Sequence, residues 1–176
     1  SRPLSFTYNG RLLTITTPQN LPQGEPRTFV MEYSAYPREN LYYVGPDATN
    51  PQRMPAAYTY SEPEGSKFWF PCLDLPSAKA LFDLRIWVPK PFKVLSNGEL
   101  LSQASSHKTY NFFHYRMGQS IPPYLVSLAI GAYEQVSLGN FKGKPLSLWT
   151  PPELKQAALV ETAHTPQIMA FFSELT

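Results

Sequence analysis

Few side chains in this sequence are suited to chemistry. The histidines are His107, His114 and His164, the single cysteine is Cys72, and the carboxylates number 13. Imidazole serves as a base or metal ligand near neutral pH. A helix-borne zinc pair needs H-E-x-x-H, however, and no such pattern occurs. The G-x-S-x-G nucleophile elbow and the phosphate-cradling G-x-x-x-x-G-K-[ST] loop are missing as well. All three histidines are therefore expected on the surface or on strand faces. Cys72 sits between Pro71 and Leu73, beside the aromatic run Phe68 to Phe70. A nucleophilic thiolate needs a cation or a helix N-terminus beside it; the adjoining residues supply neither, so Cys72 is expected to pack. The remaining polar cluster is Thr59-Tyr60-Ser61-Glu62-Pro63-Glu64-Gly65. Its spacing alone describes a turn with solvated carboxylates.

Composition limits what could position these groups. Fifteen Lys and Arg against 13 Asp and Glu give a formal charge of +2, spread without runs. Nucleic acid and anionic membrane surfaces both call for clustered positive charge, so neither is an expected partner. Apolar residues at 43% suffice for a core. The 19 prolines, roughly twice ordinary usage, disfavour long helices and favour short strands joined by turns. One cysteine excludes an internal disulfide and a Cys-rich zinc site, and no N-x-[ST] triplet is present. Both features suit a reducing compartment, and a cytoplasmic location is expected. The longest apolar stretch, Tyr124 to Tyr133, is too short to span a bilayer.

Periodicity supplies the elements. Leu4, Phe6 and Tyr8 alternate before Asn9-Gly10, and Leu13 and Ile15 alternate after it, which predicts a hairpin with a type I′ turn. Thr17 to Arg27 is a Pro-rich loop, Thr28 to Tyr33 a strand, and Leu41 to Val44 another strand. Phe82, Leu84, Ile86 and Val88 alternate with Asp83 and Arg85, as in a half-buried strand. Lys93 to Leu95, Thr109 to Tyr115 and Tyr124 to Tyr133 continue the strands, with a turn at Asn97-Gly98. The character changes at Pro151-Pro152. Thr150 is expected to cap a helix over Glu153 to Ala163, and a second helix after Thr165-Pro166 places Ile168, Met169, Phe172 and Leu175 on one face. The division expected is a β-rich part at 1–149, beginning abruptly, and a helical segment at 150–176 whose apolar face has no mate in the sequence. Both ends suggest a piece of a longer polypeptide.

The segment Phe70 to Phe82, FPCLDLPSAKALF, resembles the F-P-C-x-D-x-P-x-x-K-A-x-F signature in the N-terminal domain of M1-family zinc aminopeptidases. Phe70, Pro71, Cys72, Asp74, Pro76, Lys79, Ala80 and Phe82 all match it. In order along the chain, Leu41-Tyr42-Tyr43 resembles the family's G-L-Y strand and Ser96-Asn97-Gly98-Glu99-Leu100 its S-N-G-x-L turn. Pro123 to Val126 with Ile130 to Glu134 resembles its S-Y-L-x-A-x-x-x-G-x-[FY]-E strand, and His164 to Leu175 its aromatic-rich helix. The resemblance implies a mainly β fold, an antiparallel sandwich or saddle-like domain with a short C-terminal helical segment.

It also implies a division of labour. The G-x-M-E-N loop and the H-E-x-x-H helix of the family are not in this sequence, so no zinc and no catalysis are expected of this chain alone; zinc is expected in the parent protein. The expected partners are the parent's own catalytic domain and peptides with a free N-terminus. In the family a T-Q-x-E stretch provides a glutamate for the substrate's α-amino group. Thr59-Tyr60-Ser61-Glu62 matches it at Thr59 and Glu62, with Tyr60 in place of Gln. The resemblance thus makes Glu62 an amine anchor and Tyr60 an aromatic wall of the first side-chain pocket. The rival reading is an aminopeptidase-like scaffold or interaction domain without peptidase activity. A carbohydrate-binding sandwich using Trp69, Trp87 or Trp149 is a more distant one.

Overall fold

The computed structural model describes residues 3–105 and 108–175. His107, expected on the surface, lies outside them. The chain forms two compact units, Ser1–Ser34 and Ala35–Thr176. In the first unit, β1 (Ser5–Tyr8) pairs antiparallel with β2 (Leu13–Thr16). The hairpin is as expected, but its turn differs. Tyr8 pairs with Leu13, leaving a four-residue loop in which only Gly10 has positive φ. Asn9 spends its side chain on the turn, its Oδ1 accepting from the Arg11 and Leu12 amides at 3.0 and 2.7 Å. No strand forms over Thr28 to Tyr33. The segment is irregular backbone in which Val30 and Tyr33 stay exposed, so local β propensity alone does not make a strand.

The second unit holds three antiparallel sheets. A four-stranded sheet has β3 (Leu41–Val44), β4 (Ala56–Thr59), β9 (Leu128–Gly131) and β6 (Lys93–Ser96) in that order. A three-stranded sheet runs β5 (Ala80–Pro89), β8 (Tyr110–Ile121) and β7 (Glu99–Ala104), and β10 (Glu134–Phe141) pairs with β11 (Lys144–Thr150). Along β5 the period-two pattern holds throughout, Phe82, Leu84, Ile86 and Val88 facing in while Asp83, Arg85 and Trp87 face out. The core lies where this inner face meets β6 and β9. Val88, Val94, Phe113 and Tyr115 are buried there, with Phe92, Leu128 and Ile130 against them, and Tyr115 donates its hydroxyl to the Val94 carbonyl at 2.8 Å. On the outer face Asp83 accepts from Arg116 and contacts His114, each at 2.9 Å, tying β5 to β8.

The turn expected at Asn97-Gly98 carries the chain from the four-stranded sheet into the three-stranded one. Its Asn97 Oδ1 accepts the Ser127 amide at 2.7 Å, and Gly98 has φ +85° with the Arg116 carbonyl where a Cβ would stand. The two-residue turn with two positive φ values is Lys142-Gly143, between β10 and β11. Tyr124 to Tyr133 is not one strand, because Pro123–Leu125 form a 3-10 turn before β9 begins.

Thr150 is no helix cap. It is the buried last residue of β11, and Pro151 occupies the position before a 3-10 turn at Pro152–Leu154. Two helices follow, α1 (Lys155–Glu161) and α2 (Thr165–Leu175). The sheets are antiparallel and both α-helices lie after Pro151, the mainly β fold with a short helical end that the sequence implies. α2 contacts β10, yet Ile168, Met169, Phe171, Phe172 and Leu175 remain exposed.

Candidate functional site

The polar cluster after β4 is anchored at alternate points. The Leu128 amide donates to Thr59 Oγ1 at 2.8 Å, which ties the end of β4 to β9. One residue on, the Tyr60 amide donates to the Asn40 carbonyl at 3.0 Å. Ser61 is only 3% exposed, and Ser66 is fully buried with its Oγ donating to the Pro123 carbonyl at 2.8 Å. Between these anchors the side chains alternate: Ser61 turns in, whereas Tyr60 (63% exposed) and Glu62 turn out. Glu62 and Tyr60 are thus brought onto one exposed edge, and among the described residues the Glu62 carboxylate has no ion-pair partner. A carboxylate on a braced backbone with its oxygens free is suited to a small cation carrying several N–H donors.

Asn40 was not legible as part of this site. Its φ is +64°, its carbonyl takes the Tyr60 amide, and its carboxamide fills the space where a Cβ on Gly65 would stand, 2.3 Å from Oδ1. A lone Asn before a strand carries no signal for that role. Another residue the sequence did not single out is Lys67. Its Nζ lies 3.2 Å from Asp74 Oδ2 and 3.4 Å from Glu64 Oε2, and its amide also donates to Asp74. Burial works against the Lys67 ammonium, but the hydrogen bond and charge of Asp74, with Glu64, outweigh it and hold its pKa above the ordinary lysine value.

This pair explains much of the Phe70 to Phe82 segment. The Asp74 side chain is 5% exposed and braces the 3-10 turn Ser66–Phe68. Phe70 stacks edge-on with Trp69 and with Phe82, fastening the segment to β5. Cys72 sits between, and Lys67 does come near enough to influence it, which the adjoining sequence did not show. Burial first, then the Asp74 charge, nevertheless push the thiol up to about 11 against the opposing pull of Lys67. Cys72 is a packed, protonated thiol rather than a nucleophile.

The other candidates stay apart. His114 lies on β8 against Asp83, and His164 is exposed between α1 and α2. Trp87 stacks on Phe112 at 4.7 Å, and Trp149 lies beneath Lys93, so no shared aromatic platform forms. Among the described residues no three His, Cys, Asp or Glu side chains converge on a point that could hold a metal ion. No helix among the described residues is long and apolar enough to cross a membrane.

The family model for the Peptidase M1 N-terminal domain matches residues 4–125. The chain belongs to this M1 domain family. As an M1 N-terminal domain it is similar to leukotriene A-4 hydrolase of Xenopus laevis, 25% identical over 97% of this chain and 28% of that protein. It is also similar to aminopeptidase B of Homo sapiens, 27% identical over 89% of this chain and 23% of that protein. Glutamyl aminopeptidase of Sus scrofa is 29% identical over 67% of this chain and 12% of its own length. The M1 domain here therefore spans about a quarter, or less, of the curated relatives it matches.

Proposed function

We propose that this chain is the non-catalytic N-terminal part of a zinc-dependent M1 aminopeptidase, packing on the catalytic domain and helping to recognise the free N-terminus of a peptide. The supporting observation is Glu62, an exposed, unpaired carboxylate on a segment braced by Thr59, the Tyr60 amide and Ser66. In this reading Glu62 accepts hydrogen bonds from the substrate's α-ammonium, and Tyr60, on the same edge, walls the first side-chain pocket. A blocked amine presents neither the charge nor three donors, which gives the preference for free N-termini a chemical basis. The zinc and the activated water belong to the parent's catalytic domain.

Residues 1–149 are then the β-rich domain and 150–176 the opening of the catalytic one. The exposed apolar face of α2 supports that division, because Phe171, Phe172 and Leu175 in water call for a cover. The single cysteine and the lack of an N-x-[ST] triplet support a cytoplasmic location.

The test is Glu62→Ala in the full-length protein. Losing a hydrogen bond to a charged group costs about 1.5–3 kcal/mol, so kcat/KM for free-amine peptides falls roughly 10- to 150-fold. Bound zinc stays unchanged, and Glu62→Gln retains part of the activity because an acceptor remains. An unchanged kcat/KM in Glu62→Ala would return Glu62 to a solvated turn. A full-length protein that binds no zinc and cleaves no aminoacyl substrate would instead establish the scaffold reading.

A further inference from the structure

We draw no further inference here: the strongest candidate, the outward face of the three-stranded sheet where Trp87 and Phe112 stack beside the Asp83, His114 and Arg116 ion cluster, is an unpartnered sheet face of mixed charge, and nothing in the structure shows what covers it.

Discussion

Gly98 is the position where a single methyl group should do the most damage. Its φ of +85° lies in the left-handed region, which costs an L-residue about 1–2 kcal/mol. A Cβ there would also stand 2.1 Å from the Arg116 carbonyl oxygen and 2.5 Å from its carbon. Both are main-chain atoms of β8, held by ladders to β5 and β7, so they cannot swing aside as a side-chain tip would. The contact must open by roughly 1.5 Å to reach ordinary van der Waals separation. That displacement disturbs the crossing between the two sheets and their shared core. Gly98→Ala is expected to destabilise by about 3–5 kcal/mol, in the exceptional tail of single substitutions. For a chain of this size that lowers Tm by roughly 6–20 °C.

Gly139→Ala is the control. Gly139 has a similar φ of +95° but no atom within 4 Å of its virtual Cβ, so only the backbone term of about 1–2 kcal/mol applies. Thermal unfolding of the two variants, followed by near-ultraviolet circular dichroism, separates the terms. Equal losses of Tm would show that the close approach to Arg116 carries no weight and would sink the reasoning.

Ser61→Ala should raise stability by about 1 kcal/mol, since it removes a buried hydroxyl that has no partner among the described residues; a lower Tm in chemical or thermal melts would mean the hydroxyl is engaged. Cys72, with its pKa near 11, should resist alkylation at pH 8 and become reactive only in strong alkali. Because the native thiol ionises later than the unfolded one, native stability should decline as pH rises from about 9 to about 11; a thiolate absorbance titrating below pH 9 would contradict this. Asp83 has its pKa lowered, chiefly by the Arg116 hydrogen bond, with burial opposing and His114 assisting. Its stabilising contribution is present above the unfolded carboxylate pKa of about 3.9 and lost as pH falls through the lower native value. Asp83→Asn should therefore flatten the acid limb of a stability profile, and an unaltered limb would refute the assignment.

The features legible from residue order were local or carried by family motifs. Leu41–Val44 and the inward row Phe82, Leu84, Ile86 and Val88 were legible because side-chain direction in a strand repeats every second residue. The helix after Thr165-Pro166 was legible from its apolar spacing. The M1 family was legible from the residues around Phe70, Pro71 and Cys72. Tertiary structure alone decided whatever depends on a distant partner. Thr28 to Tyr33 has strand composition but remains irregular backbone. Thr150 looks like a cap but ends a strand, because pairing with Glu134 claims it first. Asn97-Gly98 reads as a turn, and only the separate pairing of β6 with β9 and of β7 with β8 makes it a crossing between sheets. At the candidate site the sequence supplied Glu62 and Tyr60 through the motif. Their shared exposure depends on Asn40, Pro123 and Leu128, residues remote along the chain that fix the backbone between them. Alternation along a strand is a property of the neighbouring bonds, whereas a ladder partner, a carbonyl blocking a glycine or a lysine beside a thiol exists only once the chain has closed on itself.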